Sequence, residues 1–227
     1  MVTVTCGLVG WWWWGLVAAL TTLSVLSFFR DPERCIPTDR GVMVSPADGR
    51  VTSIHRLENF KPFGEPALCI RVFLSVLNVH VNRSPCHAVV DSLSRRLGRH
   101  LSALNPRSAE ENEWNLIVLR HPTQRRVIAA VRQVAGRLAR TIVCGVKENQ
   151  IIQRGQRIGM ILLGSTTELY IPLRANPVPQ VVKGQKVQGG RTILAKLDAA
   201  PYQYVSGKER EGESDLVAPA AEASALA

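Results

Sequence analysis

The sequence predicts a mainly β chain: a compact, barrel-like sheet domain with short helices, preceded by one N-terminal membrane helix. Three observations predict it. Val2 to Phe29 carries no charged residue over 28 positions, and a membrane helix needs about 20 apolar ones. Further along, short apolar runs rich in β-branched and aromatic residues alternate with Gly, Pro, Asn and Asp, the pattern of strands and tight turns. After about Ser206 the composition turns to Gly, Glu, Ser and Ala, which cannot build a core. The expected organisation is an anchor over residues 1–29, a folded domain over 30–206 and a disordered tail over 207–227.

Length and composition bound what the domain can be. With 227 residues, one domain and a small appendage are expected. The net charge of +10 and pI near 10 favour anionic partners, meaning nucleic acid or acidic lipid. Cys6, Cys35, Cys69, Cys86 and Cys144 are scattered, odd in number and without a C-x-x-C pair. They match neither a zinc site nor a disulfide framework. They read as free thiols in a reducing compartment, with buried packing as their default role, and no metal is expected.

The anchor comes first. Trp11-Trp12-Trp13-Trp14 suits a membrane interface, where amphipathic rings settle. From Trp11 to Phe29 there are 19 residues, about 28 Å of helix. A cleaved signal peptide would want a basic start and small residues at the cut. Here the start has no Lys or Arg, and bulky Phe28-Phe29-Arg30 follows the apolar run, so a retained anchor is favoured. A re-entrant or interfacial helix stays open. Positive charge begins only at Arg30 and Arg34, which puts the large domain on the cytoplasmic side of a cell membrane.

Arg30-Asp31-Pro32-Glu33-Arg34 ends the span and begins the soluble part. Asp48-Gly49, between apolar runs, is a hairpin-turn signal, and alone Asp48 reads as a turn residue. Cys69 to Val81 is a strand-rich segment that delivers His80, which alone reads as a satisfied core histidine. Residues 91–140 hold ten arginines against four acids. Behind a membrane anchor this reads best as a face drawn to anionic headgroups. No aromatic-interleaved motif supports nucleic acid. Val143 to Leu163 suggests short strands and tight turns. Gly155-Gln156-Arg157-Ile158 and Gly184-Gln185-Lys186-Val187 are weakly alike. Between the apolar runs Ile158–Leu163 and Leu169–Leu173 stands Gly164-Ser165. A glycine there permits strain or close approach, and a hydroxyl directly after it can attack the preceding carbonyl. Alone, it reads as a turn serine.

Taken together, several segments resemble the phosphatidylserine decarboxylase family in its short, single-anchor form. They are Phe28-Phe29-Arg30-Asp31-Pro32, Ser45-Pro46-Ala47-Asp48-Gly49-Arg50-Val51, Asn78-Val79-His80-Val81-Asn82-Arg83-Ser84-Pro85, Glu111-Asn112-Glu113, Ile142-Val143-Cys144, Arg157-Ile158-Gly159 and Leu163-Gly164-Ser165-Thr166. Each is weak alone; the order and spacing are specific. The resemblance implies a proenzyme that cuts itself between Gly164 and Ser165. The β chain ends at 164, and the α chain starts at 165 with a pyruvoyl group derived from Ser165. That group would hold the serine amine of phosphatidylserine as a Schiff base and release carbon dioxide, giving phosphatidylethanolamine. His80 is the candidate base and proton donor, with Asp48 orienting it. The two chains are expected to stay associated. A homo-oligomer is left open, as is an ether-linked archaetidylserine substrate.

Two departures stand out. Arg83 occupies the place where longer family members carry a second histidine, and Cys86-His87-Ala88 replaces a usual glycine, leaving His87 as an auxiliary candidate. Three rivals remain. A serine hydrolase could use Asp48, His80 and Ser165 but lacks a G-x-S-x-G elbow. A biotinyl- or lipoyl-type carrier would need a lysine at a hairpin tip. A membrane-tethered basic binding protein would need no catalytic residue.

Overall fold

A computed structural model of the chain describes residues 2–99, 101, 111–136, 141–162 and 165–197, with side chains from residue 11 onward. The expected tail therefore lies outside the described residues, as do Leu163 and Gly164. Among the described residues, one long helix, α1 (Val2–Phe28), is followed by fourteen strands. These are β1 (Val42–Val44), β2 (Gly49–Phe60), β3 (Glu65–Leu74), β4 (Val81–Arg83), β5 (Ala88–Arg96), β6 (Trp114–Arg120) and β7 (Val127–Val134). Then come β8 (Ile142–Cys144), β9 (Ile151–Ile152), β10 (Arg157–Ile161), β11 (Ser165–Pro172), β12 (Pro177–Pro179), β13 (Lys186–Val187) and β14 (Ile193–Leu197). A short 3-10 turn, Leu173–Ala175, separates β11 from β12.

The helix is apolar on every side. Trp11 to Trp14, Leu16, Leu20, Leu23 and Leu26 all point outward, which suits lipid rather than a protein core. Trp11–Phe28 is long and apolar enough to cross a membrane. The hydroxyls of Thr21, Thr22 and Ser24 donate to the carbonyls four residues back at 2.8 Å. This satisfies them inside the helix, as a hydrocarbon surround requires.

The body is mainly β, built on a curled half-barrel sheet. Eight strands run in the order β13-β2-β3-β11-β7-β6-β5-β9, and two three-stranded sheets, β1-β14-β12 and β4-β10-β8, complete it. Every pairing is antiparallel. Strand β11 is central: eight residues pair with β3 and five with β7. Its side chains alternate between faces. Leu169 and Ile171 enter the main core, which also gathers Met43, Ile158 and Leu194 from the two small sheets. Tyr170 joins a second cluster on the opposite face with Cys69, Leu116, Val118 and Ala130, screened by Phe60, Phe63 and Trp114.

Several expectations change. Asp48-Gly49 is not a hairpin turn: β1 pairs with β14, whereas β2 pairs with β3 and β13. The dipeptide is the corner where the chain leaves one sheet for another. Of the four cysteines with described side chains, Cys69 and Cys86 are buried, while Cys35 and Cys144 are exposed free thiols. The basic stretch is partly neutralised within the fold. Arg95, Arg99, Arg120 and Arg132 pair with Glu113, Glu111, Asp91 and Glu168, leaving Arg96, Arg125 and Arg126 as its exposed, unpaired cations among the described residues. The two G-Q segments are one turn used twice. Gly155 and Gly184 both have positive φ, where glycine carries no steric penalty. The next residue, Gln156 or Gln185, accepts from the amide three residues back through Oε1. Lys147-Glu148-Asn149-Gln150 makes the same turn with Asn149 at φ 64°.

Candidate active site

Ser165 opens β11 opposite Leu74, the last residue of β3. It is fully buried, and its Oγ has no hydrogen-bond partner among the described residues. A buried hydroxyl without a partner is costly, at about 1–3 kcal/mol, and the adjacent Thr166 Oγ1 is likewise unpartnered among the described residues. Two residues on from Ser165, and on the same face, the Thr167 hydroxyl receives the Asn82 side-chain amide at 3.1 Å. Asn82 in turn accepts from Gln133 at 2.8 Å, and Gln133 accepts from Asn115 at 2.8 Å. This buried polar chain ties β4 to β11, β7 and β6 on the face of β11 that Ser165 shares. Residue-by-residue reading of the sequence did not find it. The available signal was polar residues at core-facing positions of otherwise apolar strands.

His80 precedes β4, and its backbone carbonyl accepts from the Ile161 amide at 3.3 Å, at the end of β10. The ring is fully buried. Its Nδ1 lies 2.8 Å from the Asn78 carbonyl, which can only accept, so Nδ1 carries the proton and Nε2 is the basic nitrogen. Burial lowers the ring's pKa from its ordinary value; the Asn78 carbonyl offsets this in part, and the Arg30 charge adds to the lowering. Asn78 closes a tight loop, its Oδ1 accepting from the Ser75 amide and hydroxyl. Phe28, in the last turn of α1, lies against the imidazole with ring centroids 4.4 Å apart and planes tilted by 36°.

Asp48 is held elsewhere. Its Oδ1 accepts from the Gly189 amide at 2.7 Å and its Oδ2 from Arg34 at 2.8 Å. The structure does not join Asp48 to His80, because both carboxylate oxygens face the 34 and 189 segments. Arg34 belongs to the stretch after α1, and that whole stretch is a clamp. Arg30 binds the Leu77 carbonyl, and Asp31 pairs with both Arg83 and Arg157. Arg83 also donates to the Gly155 carbonyl, so the residue standing where a second histidine was sought is structural. His87 is half-buried beside Ile36 and Arg154.

Between the foot of α1 and the loop after β3 lies an open apolar groove of about 630 Å³, lined by Leu20, Phe28, Val76, Leu77 and Leu162. Leu162 stands two residues before Gly164. Ser165 and His80 are both fully buried, no hydrogen bond joins the Ser165 hydroxyl to the ring, and the apolar groove reaches Leu162. A family model described as Phosphatidylserine decarboxylase matches residues 22–195. The chain belongs to the phosphatidylserine decarboxylase family. That match takes in Asp48, His80, Gly164 and Ser165. Proteins named phosphatidylserine decarboxylase proenzyme are similar over most of their length. The one from Ehrlichia chaffeensis is 40% identical over 189 residues, covering 83% of this chain and 82% of the relative. That from Ralstonia pickettii is 41% identical over 178 residues, 78% and 80% of the two chains. That from Wolbachia pipientis wMel is 38% identical over 194 residues, 83% and 82%. Membership makes this chain a decarboxylase proenzyme of phospholipid biosynthesis, a lyase.

Proposed function

We propose that the chain cuts itself between Gly164 and Ser165 and then decarboxylates phosphatidylserine to phosphatidylethanolamine at the cytoplasmic face of a cell membrane. The observation that carries this reading is the buried Ser165 Oγ, unpartnered among the described residues, at the head of the central strand. Such a hydroxyl is desolvated and ready for a reaction partner. The same orphaned group fits the serine from which a covalent pyruvoyl group is made.

In the first step Ser165 Oγ attacks the Gly164 carbonyl carbon, and its proton passes to His80 Nε2, the basic nitrogen. The amide nitrogen leaves protonated, so the peptide becomes an ester. Removal of the Ser165 α-proton then expels the Gly164 carboxylate across the Cα–Cβ bond. Water hydrolyses the resulting enamine, releasing ammonia. The first chain, 1–164, and the second, 165–227, are held together by β11, which has β3 on one side and β7 on the other.

A pyruvoyl group at position 165 supplies an electrophilic carbonyl that engages the substrate amine and accepts the electron pair as carbon dioxide departs. The residues around it do the rest. The apolar groove receives the lipid, burial excludes water, and His80 returns a proton to the product carbon. Asp48 is assigned a positioning role, fixing the corner between β1 and β2 through Arg34 and Gly189.

A denaturing mass spectrum of freshly purified protein tests this. The precursor is 25.0 kDa, and scaling by length gives fragments of about 18 and about 7 kDa for 164 and 63 of 227 residues. The smaller should begin with a blocked pyruvoyl terminus. Ser165→Ala should remain one chain without activity; normal cutting of that variant would sink the mechanism.

A further inference from the structure

Strand β13 pairs with β2 so that Lys186 lies opposite Arg50. Directly opposed side chains share one face of a sheet, and like charges there repel. Both residues are exposed, and neither has a carboxylate partner among the described residues. Arg50 is steadied by a bond from Nη1 to the Gly184 carbonyl at 2.8 Å, in the turn that delivers Lys186. The pair borders a cavity of about 620 Å³ of mixed lining, which also reaches Asp48, Ser75 and Asn78 and includes Phe73 and Val187. The Asp48 charge is already committed to Arg34, so the cavity carries two uncompensated cations.

The loop from Ser75 to Asn78 divides two environments. Ser75 and Asn78 face the cavity that holds Arg50 and Lys186, and Val76 and Leu77 line the apolar groove at the foot of α1. Asn78 is the residue whose carbonyl holds His80, and Ser75 follows Leu74, the partner of Ser165. A molecule with an anionic head and apolar tails can straddle this loop beside the reacting serine.

We propose that Arg50 and Lys186 form the anion-recognition site for the substrate phosphodiester, with the acyl chains on the Val76–Leu77 side. This rests on the decarboxylase reading given above. A guanidinium and an ammonium side by side suit phosphate oxygens. Free phosphate or an anionic bilayer surface offers the same chemistry, so the test separates them.

The double variant Arg50→Gln/Lys186→Gln is compared with the wild type on phosphatidylserine in neutral detergent micelles. Appearance of the two processed fragments verifies its fold. Loss of two charge-assisted contacts should raise KM at least about ten-fold, whereas Lys186→Arg should keep KM near the wild-type value. Inorganic phosphate should inhibit the wild type competitively and the double variant much less. Binding to phosphatidylglycerol vesicles should be alike in both. A KM unchanged within two-fold overturns the proposal. So does a loss of vesicle binding that parallels the rise in KM, since the pair would then be a general surface contact. If the wild type is never cut and releases no carbon dioxide, the decarboxylase reading fails instead. The pair is then judged by melting temperature. Stabilisation by inorganic phosphate in the wild type alone upholds an anion site, and equal response overturns it.

Discussion

At the scale of single residues, burial sets the chemistry of the candidate groups. His80 is held below its ordinary pKa of 6.5 by burial. The unfolded chain therefore takes up this proton before the folded one. The stability linked to the neutral ring is complete above pH 6.5 and is lost as pH falls toward the folded value. The base form should persist across the same window. Processing of newly made precursor, followed by gel over time, should keep more than half of its pH 7.5 rate at pH 6.5; a rate halved or lower at 6.5 would mean a ring that titrates like an exposed one. His80→Ala should slow processing by about 10²–10⁴, the usual worth of a positioned base. Alone, Ser165, His80 and Asp48 read as a turn serine, a core histidine and a turn residue; only the order and spacing of the family-like segments made them candidates. Their contacts were not legible. The bonds of Asp48 run to Arg34 and Gly189, which are 14 and 141 residues away, and only the fold decides such pairings.

At the scale of elements, β11 carries opposite chemistry on its two faces. Ser165 and Thr167 face the main core. On the other side Glu168 is fully buried and is bound by Arg71, Arg132 and the Tyr170 hydroxyl. Burial raises the Glu168 pKa, but Arg132 and Arg71 outweigh it and hold the carboxyl below its usual range. Removing one member of such a group leaves buried charge uncompensated, so Glu168→Gln should cost about 3–5 kcal/mol, read from the urea midpoint of the uncut Ser165→Ala form. Gly49 is the other sensitive point, since a Cβ there would lie 2.1 Å from the Phe73 carbonyl oxygen. Gly49→Ala must push β2 away from β3, and should destabilise by roughly 1–3 kcal/mol or more on the same assay. The strands were legible because apolar runs and turn residues punctuate the chain. The partners of β1 and β2 were not, since Asp-Gly marks a reversal without saying which sheet follows it. The Asn149 turn escaped notice because asparagine stands where its two counterparts have glycine.

At the scale of the whole molecule, one helix and one sheet body meet through a short clamp, Arg30 to Arg34. The apolar helix was legible from its lack of charge, whereas the clamp read only as its end. Lysines at Val17 and Leu20 should each add about 2.5–3.5 kcal/mol to the transfer of α1 into lipid. That double variant should move from the membrane to the soluble fraction in flotation experiments. Retention in the membrane would mean that the sheet body, not α1, makes the attachment. The contact of Phe28 with His80 gives this attachment a further meaning. A helix that tilts to match a thicker or thinner bilayer carries its last turn with it, and that turn roofs the imidazole. Insertion and protonation are then two equilibria sharing one contact, and each must bias the other by the same free energy. The enzyme would report on the thickness of the membrane it helps to compose.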